Sequence, residues 1–81
     1  MDKTDINEFL FQLVDVFEEA DPSTIIPEAD FRELEGYSSL TALSLIAMVD
    51  EKYNVKIKGE DIRNSKTITD LFKVIISRIK S

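Results

Sequence analysis

The stretch from Gly36 to Tyr53 constrains the fold more than any other part of the chain. A glycine and two serines precede an apolar run whose members recur at three- and four-residue spacing: Leu40, Leu43, Ile46, Ala47 and Tyr53. This spacing predicts one helix face turned towards a core. Ser38 is the predicted N-cap, because its hydroxyl oxygen can accept a backbone N–H of the first turn. Ser39 then takes the first helical position, so the predicted helix over about 39–53 begins with a solvent-facing hydroxyl.

Three further segments show helical signals. The first helix is predicted over about Asp5 to Ala20, capped by Thr4, because apolar residues recur there at helical spacing. A short third helix is predicted over Gly59–Arg63. A fourth follows Thr67, which is its predicted cap, with Asp70 in the reciprocal capping position. The apolar stripe of this last helix comprises Ile68, Leu71, Phe72, Ile75, Ile76 and Ile79.

The connection over 21–37 is longer than most, so we expect it either to be pinned to the bundle or to be functional. Its predicted anchors are Ile25, Ile26, Phe31 and Leu34. Val55 and Ile57 alternate with lysines as in a strand, but no second strand is available for pairing, which predicts an extended linker with both side chains in the core. Together these features predict an all-α fold, a small four-helix bundle with three long helices, one short helix and a long first loop, forming a single domain over 1–81.

The composition excludes most catalytic chemistry. The chain has no cysteine and no histidine, which removes thiol nucleophiles, disulfides, most zinc sites and the commonest general base. A serine hydrolase would lack its imidazole. The sequence therefore predicts a protein that is not an enzyme and has no metal site.

Net charge and hydropathy exclude two further classes of partner. A formal charge of −6 is unlike that of a nucleic-acid-binding domain and favours basic protein surfaces instead. No segment contains the roughly 20 apolar residues that a membrane span needs, and the N-terminus shows no targeting pattern. We expect a cytoplasmic monomer.

The residues Gly36-Tyr37-Ser38-Ser39-Leu40 resemble the motif Gly-x-Asp-Ser-Leu of acyl and peptidyl carrier proteins. The resemblance extends over nearly the whole chain in the order of its helices and loops. It implies that Ser39 receives 4′-phosphopantetheine from a phosphopantetheinyl transferase, the holo-carrier synthase, and that cargo is carried on this arm as a thioester. A phosphate would also be favoured at the positive end of a helix dipole. Ser38 replaces the usual aspartate, which keeps the cap but removes a charge.

The resemblance also implies contacts around the attachment point. By analogy with the family's cleft between the second and third helices, the first candidates to touch the arm or the cargo are Ile62, Ala42, Leu45 and Ile46. The expected contacts with the arm or a partner also include Ser38, Leu40 and Met48. Leu45 and Met48 have two interpretations: they form an exposed apolar dock, or the helix is buried on two sides. Acidic recognition is predicted from flanking positions, namely Glu33, Glu35, Glu60 and Asp61.

The leading hypothesis is thus a stand-alone acyl or aminoacyl carrier. Its further partners would be an acyl-activating ligase and acyl or condensing transferases. The second helix carries no acid before Asp50, which favours a specialised lipid or secondary-metabolite pathway over general fatty-acid synthesis. The alternatives are an unmodified interaction adaptor derived from a carrier and a small regulatory subunit. The sequence leaves the cargo open.

Overall fold

The structure is a computed structural model that describes residues 5–80, apart from the side chain of residue 80. Its helices are α1 (Ile6–Val16), α2 (Ser39–Tyr53), α3 (Gly59–Arg63) and α4 (Ile68–Lys80), and two 3-10 turns, Pro22–Thr24 and Phe31–Glu33, lie in the long loop. Within the described range there is no strand, and the one extended pairing is an isolated bridge between Asp30 and Thr67. The prediction of an all-α fold with three long helices and one short helix is confirmed.

Helix α1 is shorter than predicted at its C-terminal end. Asp5 is its N-cap and accepts a hydrogen bond from the Asn7 amide at 2.9 Å; the predicted cap, Thr4, lies outside the described residues. The helix ends at Val16, because Phe17 leaves the helical region with φ −100° and ψ 65°. Phe17 and Ala20 are nevertheless buried from the turn that follows. The apolar spacing therefore extends into a turn, and this is why it predicted a helix four residues longer than the observed one.

The core face of α2 differs from the predicted one. Leu45, Val49 and Tyr53 are buried, whereas Leu40 and Leu43 are 75% and 60% exposed and Ala47 also faces solvent. The physical reason is that α2 is apolar on several sides, so spacing alone allowed more than one stripe. The four-residue series 45, 49 and 53 faces α1 and α4, and the predicted face over 40, 43 and 47 is wrong.

The long loop is pinned to the bundle as predicted, with one exception. Ile25, Phe31 and Leu34 are buried, but Ile26 is 46% exposed and is not an anchor. The backbone adds to these contacts, since the carbonyl of Ala29 accepts a hydrogen bond from the Ile68 amide at 3.0 Å. The carbonyl of Pro27 likewise accepts from the Thr69 amide and hydroxyl. The loop is therefore fastened to the first turn of α4.

Helices α3 and α4 are held together by Asp61 and Arg78. The guanidinium of Arg78 donates to both carboxylate oxygens of Asp61, at 2.6 and 2.8 Å, and the Lys58 amide donates to the same carboxylate. These bonds, chiefly those from Arg78, lower the pKa of Asp61. The predicted reciprocal cap of α4 is confirmed, because Thr67 and Asp70 each accept the other's backbone N–H at 3.1 Å. The linker side chains Val55 and Ile57 are buried as predicted.

Tyr53 carries a buried hydroxyl that has no hydrogen-bond partner among the described residues. Burial, and to a smaller extent the charges of Glu8 and Asp5, raises the pKa of Tyr53 to about 12. Removal of this unpaired hydroxyl in Tyr53→Phe is expected to raise the free energy of unfolding at pH 7 by about 1 kcal/mol.

The same substitution has a pH signature. The unfolded phenol ionises near pH 10 and the folded one near 12, so the wild type loses stability as the pH rises through this window. Urea unfolding followed by circular dichroism at pH 7, 10 and 11 is expected to show a smaller loss in Tyr53→Phe. If both proteins lose the same unfolding free energy between pH 7 and 11, groups other than Tyr53 cause the loss of stability at alkaline pH.

Candidate functional site

The first turn of α2 is built on a reciprocal cap. The Ser38 hydroxyl accepts a hydrogen bond from the Thr41 amide at 3.4 Å, and the Thr41 hydroxyl oxygen accepts one from the Ser38 amide at 3.2 Å. The Thr41 hydroxyl also donates to the carbonyl of Gly36 at 2.7 Å. Ser38 is therefore the N-cap, as predicted, and its hydroxyl is committed to the backbone. Sequence reasoning missed the role of Thr41, although Ser-x-x-Thr is close to the known capping-box pattern.

Ser39 occupies the first helical position and is exposed. Its hydroxyl makes no hydrogen bond to any described residue. The amides of Thr41 and Ala42 bond to Ser38, whereas those of Ser39 and Leu40 belong to the first turn, where a helix supplies no acceptor. A group attached to the Ser39 oxygen would thus meet two backbone donors and the positive end of the helix dipole.

Gly36 shapes the approach to this turn. Its φ of +86° lies in the left-handed region, and a Cβ built on it would be 2.9 Å from the Cβ of Glu19. The Cβ of Glu19 is fixed to the backbone, so the clash cannot be relieved by rotation of a side chain alone. Gly36 therefore lets the loop before α2 pass close to the turn after α1.

Gly36→Ala is expected to lower the free energy of unfolding by about 1–2 kcal/mol, because it adds a left-handed penalty to the contact with Glu19. Gly59→Ala is the matched control. Its added Cβ meets only Arg63 Nη1, at 3.5 Å, and it lies in α3, where alanine favours the helix. Urea denaturation should rank the proteins Gly59→Ala, wild type, Gly36→Ala in decreasing stability. Equal stability of the two variants would contradict the strained turn.

A groove of about 610 Å³ opens beside Ser39, between α2 and α3. We call it the Ser39 groove, and its lining consists of Tyr37, Ser38, Ser39, Ala42, Leu43, Ile46, Gly59, Ile62 and Arg63. Ile62 is buried, whereas Leu43 and Arg63 are exposed. Of the predicted contacts, the structure brings Ser38, Ala42, Ile46 and Ile62 to this groove.

Sequence reasoning missed four of the lining residues: Tyr37, Leu43, Gly59 and Arg63. Tyr37 stacks on Phe17 with ring centroids 6.4 Å apart, and this contact holds it at the N-terminal end of α2. No pattern in the sequence indicated this position. Gly59 could have been found from Ile62, because it lies three residues before it on the same short helix, and Arg63 lies four residues after Gly59 on that face.

The other three predicted contacts lie elsewhere. Leu45 is 1% exposed and belongs to the core, so its interpretation as part of an exposed dock is wrong, and α2 is buried on that side instead. Leu40 and half-buried Met48 line a second groove, between α1 and α2. The four-residue spacing from Leu45 to Tyr53 was the signal that could have placed Leu45 in the core.

The charged residues near the site face solvent, with one exception. Glu33, Glu35 and Glu60 are exposed, while Asp61 is half-buried and paired with Arg78. Over the described residues, no group of three acidic, cysteine or histidine side chains is placed to hold a metal ion. Nor is any helix in this range both long and apolar enough to cross a membrane.

Comparison with known proteins adds a consistent finding. Residues 8–75 match the family described as the phosphopantetheine attachment site. An acyl carrier protein of Thermosynechococcus vestitus is 32% identical over 59 residues, which cover 73% of this chain and 73% of that protein. Meromycolate extension acyl carrier proteins of Mycolicibacterium aurum and Mycolicibacterium smegmatis are each 30% identical over 71 residues, or 84% of this chain and 73% and 72% of theirs. No solved structure matches the chain significantly.

Proposed function

The chain belongs to the acyl carrier protein family, whose members bear a phosphopantetheine attachment site, and we propose that Ser39 is the residue that receives the arm. Carriers of this family are not catalytic, and this chain is a carrier rather than an enzyme. The single observation that supports Ser39 is its position: it is the exposed, hydrogen-bond-free serine at the first turn of α2, while Ser38 is engaged in the cap.

The residues around Ser39 fit such a group. The hydroxyl oxygen would hold the phosphodiester, and the amides of Ser39 and Leu40 would stabilise its charge together with the helix dipole. When bound, 4′-phosphopantetheine supplies a flexible arm with a terminal thiol that carries the cargo. Ala42, Ile46 and Ile62 offer the arm or an acyl chain an apolar surface within the Ser39 groove.

We propose an acyl rather than an aminoacyl cargo, because the Ser39 groove contains several aliphatic side chains and, among its lining residues, no carboxylate that could pair with an amino group. The relatives' names also refer to acyl groups, and two of them to meromycolate extension. The exposed face of α2 that carries Leu43 and Ala47 would present an uncharged surface to the enzymes that load and use the cargo. Partners that dock there should bind with little salt dependence.

The test is the intact mass of the purified protein after incubation with coenzyme A, magnesium and a phosphopantetheinyl transferase of broad specificity. A mass gain of one arm is the expected result. If several active transferases leave the mass unchanged while modifying a control carrier, the adaptor hypothesis replaces this proposal. Subsequent incubation of the modified protein with an acyl-activating ligase and fatty acids of different lengths would test the cargo class.

A further inference from the structure

A second groove, of about 660 Å³, lies between α1 and α2. The two helices run antiparallel, because Phe9 near the start of α1 contacts Tyr53 at the end of α2, and Phe17 after α1 contacts Tyr37 before α2. We call this the α1–α2 groove, and its lining is Glu8, Phe11, Gln12, Asp15, Val16, Glu18, Leu40, Thr41, Ser44, Met48 and Lys52. It shares no lining residue with the Ser39 groove.

The α1–α2 groove combines apolar anchors with acidic flanks. Phe11 and Leu40 are 70% and 75% exposed, which are the two largest exposures among the large apolar side chains of the described residues. Met48 and Val16 are half-buried between the helices. An exposed phenylalanine and an exposed leucine in the same groove form a surface that a partner's apolar side chains can cover.

Charge selects the kind of partner. Three carboxylates, those of Glu8, Asp15 and Glu18, line the α1–α2 groove, against one ammonium group, that of Lys52. The groove thus presents a net negative charge to its occupant.

We propose that the α1–α2 groove docks an amphipathic helix of a partner protein, with lysine or arginine flanking a leucine-like apolar stripe. The lining extends along α2 from Leu40 to Lys52, a rise of about 18 Å, which matches a partner helix of about three turns. Two antiparallel helices offer a seam along which a third helix packs. A second copy of this chain would bring the same carboxylates together, so a symmetric dimer is disfavoured. Such a partner could be held while the Ser39 groove stays open.

The test uses a fluorescein-labelled, stapled three-turn peptide that has leucines on one face and lysines beside them, and a second peptide in which glutamates replace the lysines. Both are titrated into the full chain carrying Ser39→Ala, so the result does not depend on arm attachment. Fluorescence anisotropy gives the affinity, and amide chemical shifts of the labelled protein locate the peptide. We expect the lysine peptide to shift amides over 8–18 and 40–52, and to bind less tightly as salt is raised.

Matched variants separate this surface from general charge. Asp15→Lys combined with Glu18→Lys is expected to weaken binding about tenfold. Glu28→Lys combined with Glu33→Lys changes the net charge equally at exposed positions outside both grooves and should leave the affinity within about twofold. Phe11→Ser should also weaken binding, whereas Ile26→Ser, another exposed apolar position, should not. Circular dichroism confirms that each variant is folded.

Several outcomes would overturn the proposal. Equal affinity for the glutamate peptide would show that the carboxylates of the groove do not select a basic partner. Equal weakening by the two double variants would show that binding depends on the net charge of the protein and not on this groove. Shifts confined to the Ser39 groove would assign the peptide to the cargo surface. Self-association in sedimentation that disappears in Phe11→Ser would make a second copy the occupant.

Discussion

Ser39→Ala is expected to abolish arm attachment completely, while Ser38→Ala retains it. The Ser39 oxygen is exposed and unbonded at the first helical position, whereas the Ser38 oxygen accepts the Thr41 amide. Alanine at 38 removes a cap worth about 1 kcal/mol, so attachment should slow as the first turn frays, without being lost. The measurement is the time course of intact mass with a transferase, coenzyme A and magnesium, under conditions in which the wild type is fully converted.

Ser38→Asp is the informative control for this pair. Aspartate caps a helix as well as serine does, and it restores the charge that the resemblance to Gly-x-Asp-Ser-Leu leads one to expect. We expect attachment at least as fast as in the wild type. Mass gain in Ser39→Ala together with no gain in Ser38→Ala would move the site to Ser38 and overturn the assignment, provided that both variants keep the helical circular dichroism of the wild type.

The parts of the fold that depend on local chemistry could be predicted from the sequence. Ser38 as N-cap and the bounds of α2 follow from a hydroxyl before an apolar run, and the Thr67 and Asp70 cap follows from a four-residue pattern. The bounds of α3 were also predicted correctly. In each case the interacting groups lie within a few residues of one another, so the sequence contains the whole interaction.

The orientation of α2 could not be predicted, because it depends on neighbours that are distant in sequence. Leu40, Leu43 and Leu45 are equally apolar, and only packing against α1 and α4 decides that Leu45 is buried while the other two are exposed. For the same reason the apolar spacing of Phe17 and Ala20 indicated helix where a buried turn follows. Apolar residues recur in both segments because they are buried. Only α2 is helical, whereas Phe17 and Ala20 lie in a turn.

The Ser39 groove was predicted in part, since it is assembled from two separate segments, 37–46 and 59–63. Family resemblance led to Ile62 and Ala42, which do line it. Two other predicted contacts, Leu40 and Met48, lie on the other side of α2, in the α1–α2 groove. Successive side chains of a helix point about 100° apart. If the buried face is chosen one position away from the true one, residues that line one groove are therefore assigned to the other.

Phe9→Ala is expected to cost about 3–5 kcal/mol of unfolding free energy, and Phe11→Ala, two residues further along the same helix, less than about 0.5 kcal/mol. Phe9 is fully buried, and its ring meets Tyr53 of α2 at 6.0 Å and Phe72 of α4 at 5.1 Å, so it joins three helices. A chain of 81 residues has a total stability of about 4–12 kcal/mol, so Phe9→Ala removes a large part of it.

Urea unfolding followed by far-UV circular dichroism measures both variants. Phe11 is 70% exposed, and its replacement also improves helix propensity, which offsets any small loss of contact. Similar destabilisation by the two substitutions would mean that α1 packs with a different face, and the α1–α2 groove would then lose its exposed aromatic anchor. If only Phe9→Ala destabilises the bundle, Phe11 is free of any structural role, and a loss of peptide binding at that position can be assigned to docking alone.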